Sequence, residues 1–293
     1  MTTLNNTQEF LTSNNLDWDT EIIQEVHPIF HTPIKSFATM RSDTKEILKT
    51  GLSKKYVPIQ NDQIANMALA LSKEFNICTE KVELVDNGRK VIIQVTSGLA
   101  EIGDSLKGGM PDTIALRTTF IHDNTGKGAL KYTPSPFRLI CRNQLAILSS
   151  LTSGYIRDVR TNSIHHNREG QFQINEILNA GKEIIANNRD TVKTFQDMAK
   201  TKLTNFDIKE IIEGMVKKMD YDLQVQREIE RLIFEADSGL TDPSSLWGVY
   251  NGVTRFHGHF SGRKNPSTNN LVFGAIAKKN TLALDHILQY VNA

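Results

Sequence analysis

The spacing of apolar residues shifts from mainly strand-like to wholly helical near Gly170, and that shift limits the chain to one class of fold. Before Gly170, short β-branched runs alternate with Asn, Asp and Gly turns. Val82–Val85 and Val91–Val95 flank Asp86-Asn87-Gly88, and Asn-Gly between two such runs is the strongest short-range hairpin signal. Thr113–Ile121 and Gly128–Tyr132 form a second pair around Asp123–Gly126. After Gly170, Ile174, Ile177, Leu178, Gly181, Ile184 and Ile185 follow a period near 3.6, and the same period returns in Ile208–Met219 and Val225–Ile233. The expected class is α+β: an antiparallel sheet with flanking helices in the N-terminal half, then a helical C-terminal half.

Local signals fill in this outline. Asp17 or Asp19 is placed to cap a short helix through Glu21, Ile22 and Ile23, ending before Pro28. Thr39–Arg41 and Glu46–Leu48 read as strands around Ser42-Asp43-Thr44, and Tyr56–Ile59 as an edge strand limited by Pro58. Asn61 or Asp62 should cap a helix whose buried face is Ile64, Met67, Ala68 and Leu71. Phe137–Leu151 reads as a strand feeding a helix broken near Gly154. Asp207 should cap one late helix, and Asp242-Pro243-Ser244 should open another. Residues 1–15 are polar and rich in Asn and Thr, and are expected to be poorly ordered. The core is then expected over 16–170, with a helical part over 171–293 packed on it.

Charge is distributed unevenly. The chain totals +1, yet residues 127–168 hold Lys127, Lys131, Arg138, Arg142, Arg157, Arg160 and Arg168 against the single acid Asp158. That segment is +6 and the remainder −5. Five of its seven cations are Arg, which grips phosphate in a fork. Two readings stay open: a cationic groove for a nucleic-acid backbone, or arginines paired with acids of the helical half. Tyr132, Phe137 and Tyr155 are the aromatic side chains available for stacking there, and Phe137 sits in an apolar run that suits the core.

Other chemistry has little support. Cys78 and Cys141 lie far apart without a CxxC, so they read as reduced core thiols rather than a zinc knuckle. His257-Gly258-His259 and His165-His166 lack a second pair at zinc spacing and read as polar loop histidines, so no metal or other cofactor is expected. Asn124–Gly128 lacks the first glycine and the final hydroxyl of a phosphate loop and reads as a hairpin turn. Neither a GxSxG elbow nor a dinucleotide fingerprint is present, so a non-enzyme is expected. No segment approaches the ~20 apolar residues of a membrane span, which points to the cytoplasm.

Four phrases carry a resemblance: Leu16-Asp17-Trp18; Lys54–Asn61; Thr133–Leu145, containing Arg138, Cys141, Arg142 and Asn143; and Leu246–His259. In this order they resemble the phage- and plasmid-borne family known as domain of unknown function 932. The chain departs from that pattern at Gln144, Arg255 and Gly258. The resemblance implies mobile elements near replication and recombination genes, and a strand order similar to single-strand annealing proteins. It gives the expectation of an oligomeric nucleic-acid-binding protein of the host cytoplasm that contacts single strands through the seven cations. The alternative is a phage protein-binding or assembly module, such as a counter-defence factor, whose interface is the helices of Phe172–Ala236. Trp247, Val249, Tyr250 and Val253 should share one packing face, with Asn251 and Thr254 tying that helix to the sheet.

Overall fold

The computed structural model describes residues 6–103, 111–126, 130–139, 162–164, 174–236, 241–261, 266–272 and 274–291. Helix α1 (Thr7–Ser13) opens the chain, capped by Asn6, whose side chain accepts the Glu9 N–H at 2.8 Å. Poor order is expected over residues 1–15, and the described part of that stretch, residues 6–15, instead carries this helix. Phe10 and Leu11 are buried among Leu16 and the apolar face of a later helix, and that burial offsets the cost of ordering a short polar segment.

β1 (Thr20–Val26), β2 (Pro33–Arg41) and β3 (Ile47–Leu52) form a three-stranded antiparallel sheet in that order. β1 replaces the expected short helix. Its exposure alternates residue by residue, and Ile22 and Ile23 lie opposite Thr39 and Ala38 of β2. Residues 56–59 form no ladder, although a strand is expected there. Gln60, which follows, holds Thr20 at both backbone groups, accepting its N–H at 2.8 Å and donating to its carbonyl at 3.1 Å.

Helix α2 (Asn61–Phe75) is capped by Gln60, whose N–H donates to the Gln63 side chain at 2.8 Å. Asn61 is therefore not the cap. It is buried and donates to the carbonyls of Leu16 (3.1 Å) and Trp18 (2.8 Å), joining the first two recurring phrases directly. Ile64, Met67, Ala68 and Leu71 are buried as the spacing requires.

The second sheet takes β4 (Cys78–Val85), β5 (Lys90–Gly103), β6 (Asp112–Asp123), β7 (Leu130–Pro134) and β9 (Asn162–Ile164) in the order β4-β5-β6-β7-β9, with β8 (Phe137–Arg138) also on β6. The β4–β5 turn falls at Asp86–Gly88. Gly88 has φ +91°, and a Cβ there would stand 2.9 Å from the Trp18 ring, so glycine is required twice over. Asn124, in the turn after β6, donates to the Gly88 carbonyl and accepts from Thr20, which anchors that turn in the fold.

Beyond the sheets come α3 (Ile174–Lys200), α4 (Asn205–Lys218), α5 (Leu223–Arg231), α6 (Leu246–Arg255), α7 (Thr268–Val272) and α8 (Ala275–Ile287). Thr204, not Asp207, caps α4. Asp207 closes the capping box by accepting the Thr204 N–H at 2.8 Å. Ser245 caps α6. The fold is α+β, as expected. None of the described helices is long and apolar enough to cross a membrane.

Contacts divide the chain into two units, each drawn from three segments. The first comprises residues 1–97, 118–133 and 161–185; the second comprises 98–117, 134–160 and 186–293. β5, β6 and α3 each contribute to both, because each is longer than one core needs. The first core gathers α2 with Val91, Ile93, Phe120, Tyr132, Ile177 and Ile184. The second gathers Phe195 and Met198 of α3 with the apolar faces of α4, α6 and α8.

Candidate functional site

Of the seven expected phosphate-binding cations, Lys131 and Arg138 lie among the described residues; Lys127, Arg142, Arg157, Arg160 and Arg168 lie outside them, as do Cys141, Asn143, Tyr155, His165 and His166. Lys131 is exposed on β7. Arg138 is not a surface cation. It is fully buried, donating through Nε and Nη2 to the two carboxylate oxygens of Asp112, each at 2.7 Å. Trp247 Nε1 donates to the same carboxylate at 2.7 Å. A guanidinium so enclosed has no face left for phosphate, so Arg138 leaves the binding set and belongs to the core. The two stacking candidates that are described also have neighbours: Arg117 lies 4.3 Å from the ring centroid of half-buried Phe137, and buried Tyr132 bonds through its hydroxyl to Glu183.

A different arrangement offers solvent-facing charge. In the second unit, a cleft of about 580 Å³ opens between α5, the π-helical turn Phe256–Phe260 and α8, within the size range of ligand sites. Tyr221, Phe256 and Phe260 supply rings, and Arg227, Arg231 and Lys279 supply charge. Arg231 is committed to Glu228, which accepts from its Nε at 2.9 Å and Nη2 at 2.6 Å. Arg227 and Lys279 have no ion-pair partner among the described residues. Lys279 Nζ lies 4.9 Å from the Tyr221 ring centroid, a cation–π distance. The cleft therefore carries two uncompensated positive charges beside three rings.

A buried chain of hydrogen bonds fixes one of those rings. His257 Nδ1 stands 2.7 Å from Asn280 Oδ1, and Nε2 stands 2.9 Å from the Tyr221 hydroxyl. An amide oxygen only accepts, so Nδ1 carries the hydrogen and Nε2 accepts from Tyr221. His257 is 1% exposed, which corrects its reading as a polar loop residue. Burial pushes its pKa down to about 4; the Asn280 bond opposes this shift and the Lys279 charge reinforces it. His257 is thus neutral at physiological pH and serves to orient Tyr221.

Between about 6.5 and about 4 the unfolded chain takes up a proton that folded His257 refuses. The neutral ring's contribution to stability is complete above pH 6.5 and is lost as pH falls towards 4. At 1.36 kcal/mol per pKa unit it amounts to about 3 kcal/mol at most. Burial also depresses His259 and His286, so they add slope of the same sign. Denaturant titrations across this range should show a smaller loss for His257→Gln than for the wild type. Equal losses would refute the assignment.

A family model described as Domain of unknown function (DUF932) matches residues 50–275, more than half of the chain. The chain belongs to that family. No curated protein and no solved structure matches it. The DUF932 match takes in β8, with Arg138, and all of α6. Trp247, Val249, Tyr250 and Val253 of α6 are buried together, as their spacing implies. Asn251 and Thr254 are expected to tie the helix to the sheet; Asn251 donates instead to the Trp247 carbonyl at 2.8 Å and Thr254 to the Asn251 carbonyl at 3.1 Å, both along the helix itself. This late DUF932 phrase has a second use: its terminal Phe256 and His257 form one wall of the cleft and the support behind Tyr221. Sequence reasoning missed the cleft. The available signal was Arg227 and Arg231, one turn apart on α5 and shortly after Tyr221.

Proposed function

We propose that this DUF932 protein binds single-stranded nucleic acid in the replication or recombination of a mobile element such as a phage or plasmid. It would act in the host cytoplasm, as an oligomer, and without turnover. The observation that carries this reading is the cleft, where unpaired Arg227 and Lys279 lie beside the rings of Tyr221 and Phe260, the latter 45% exposed. Phosphate neutralisation and base stacking are the two interactions on which sequence-tolerant single-strand binding is built. The cation excess over residues 127–168 supports the same reading. An orienting role for neutral His257 suits binding better than proton transfer.

Fluorescence anisotropy with a labelled single-stranded oligonucleotide across a salt series tests this. Affinity should fall steeply with salt, and Arg227→Ala or Lys279→Ala should each flatten the log–log slope by about 0.7. Alanine at Lys127, Lys131, Arg142, Arg157, Arg160 and Arg168 should flatten it further. Absence of affinity at low salt, or affinity indifferent to both sets of substitutions, would overturn the reading.

A second reading, a phage or host protein-binding module, is favoured by Phe206 and Leu223, 75% and 69% exposed on α4 and α5. Stoichiometric capture of one protein from nuclease-treated host lysate, abolished by Phe206→Ser with Leu223→Ser, would support it instead.

A further inference from the structure

The turn between β1 and β2 presents apolar side chains to solvent on a backbone that is held rigid. Val26, Ile29 and Phe30 are 52%, 74% and 71% exposed. Exposure on this scale at a chain reversal usually accompanies a loose backbone, but this turn is closed by its own hydrogen bonds. His27 N–H donates to the Thr32 carbonyl at 2.8 Å, and His31 N–H donates to the His27 carbonyl at 2.9 Å. The His27 Nδ1 accepts the N–H groups of both Ile29 and Phe30 at 3.2 Å. The His27 ring also stacks on Phe30, with centroids 4.8 Å apart and planes 28° from parallel. One face of Phe30 is therefore covered and the ring is fixed, while most of its surface stays open.

The balance of charge nearby is positive. Lys35 follows the turn on β2. The register sets Leu52 opposite Phe37, so the chain leaving β3 carries Lys54 and Lys55 towards the turn end of this sheet. All three lysines are exposed, and none has an ion-pair partner among the described residues. Glu25, on the same end, accepts the Gly51 N–H at 3.2 Å. A pre-stacked ring at the tip of a two-stranded ribbon, flanked by free lysines, matches an unpaired base with phosphates on either side. A lipid surface would gain little from the orientation that His27 imposes on Phe30.

We propose that the β1–β2 turn is a second contact for a nucleic-acid strand, in which Phe30 stacks on an unpaired base and Lys35, Lys54 and Lys55 meet the adjacent phosphates. This rests on the single-strand reading and adds to it a site in the first unit. The test is anisotropy with a single-stranded oligonucleotide over a salt series, on the full chain. Phe30→Ala should weaken binding at least about fivefold while leaving the salt slope unchanged, and Phe30→Trp should restore affinity. The triple change Lys35→Ala, Lys54→Ala and Lys55→Ala should flatten the slope by about 2. These side chains lie on the surface, so the variants should fold, and circular dichroism checks this. Salt-dependent binding by the wild type that is unchanged in Phe30→Ala would overturn the inference and leave the single-strand reading standing. No binding by the wild type to any strand would overturn both. Sedimentation with phosphatidylserine vesicles is the remaining arm: vesicle binding lost in Phe30→Ala, with strand binding intact, would assign the turn to a membrane surface and overturn the inference.

Discussion

Replacing Arg138 with alanine should lower the unfolding free energy by about 3–5 kcal/mol, the usual loss when one partner of a buried ion pair is removed. The Asp112 carboxylate accepts from Arg138 at both oxygens and from Trp247 Nε1 as well, while both side chains of the pair are almost wholly shielded from water. Without the guanidinium, the carboxylate keeps the indole N–H but loses its counter-charge while shielded from bulk solvent. Urea unfolding reads this directly. A double variant, Asp112→Leu with Arg138→Met, should recover much of the loss, because it removes both charges together. It should still fall short of the wild type by roughly the 1–3 kcal/mol cost of leaving the Trp247 N–H unsatisfied. The alternative is equally definite: a solvent-facing phosphate ligand at Arg138 would lose strand affinity on substitution and change stability by less than about 0.5 kcal/mol.

The second large effect concerns Gly248, and here the sign is the test. Glycine to alanine inside a helix ordinarily stabilises by up to about 1 kcal/mol. A Cβ on Gly248 would stand 2.2 Å from the Asp242 carbonyl oxygen and 3.0 Å from the Pro243 Cα. Both are backbone atoms that cannot rotate away, so the segment before α6 must move. That segment carries the cap: Ser245 Oγ accepts the Gly248 N–H at 3.0 Å and donates to the same Asp242 carbonyl at 2.8 Å. Overpacking costs about 1–3 kcal/mol and a lost cap about 1. Set against the helix-propensity gain, these leave a net destabilisation of about 1–3 kcal/mol for Gly248→Ala in urea. Gly258→Ala is the control, since nothing lies within 4 Å of its would-be Cβ; it should be neutral or stabilising by up to about 1 kcal/mol. A stabilised Gly248→Ala would mean that α6 does not approach residues 242–243 this closely.

Legibility differed from element to element for physical reasons. The β4–β5 hairpin was readable because Asn87 and Gly88 adopt positive φ, and few residues other than Asn and Gly do so cheaply. The buried face of α2 was readable because four apolar residues recur at helical spacing over about two turns. β1 was misread because its Asp-flanked stretch of two isoleucines is too short to show either period, and its pairing with β2 is what decides it. His257 was misread because a histidine between glycine and aromatics resembles a loop, and its partners Tyr221 and Asn280 are 36 and 23 residues away.

What the sequence alone determined about this protein is its α+β class, its principal hairpins and helices, and its place among DUF932 proteins through phrases that now read mostly as packing and capping devices. These depend on local backbone preference and short-range periodicity, which a linear string records. Which cations meet solvent was decided only by the tertiary structure. Arg138 stands in a run of basic residues and nothing local separates it from them; it is the approach of Asp112 and Trp247, from 26 and 109 positions away, that encloses it. Arg227 and Lys279 lie far apart in the chain and share a cleft because α5 and α8 line it together. Burial is a property of distant neighbours, and electrostatic availability follows burial.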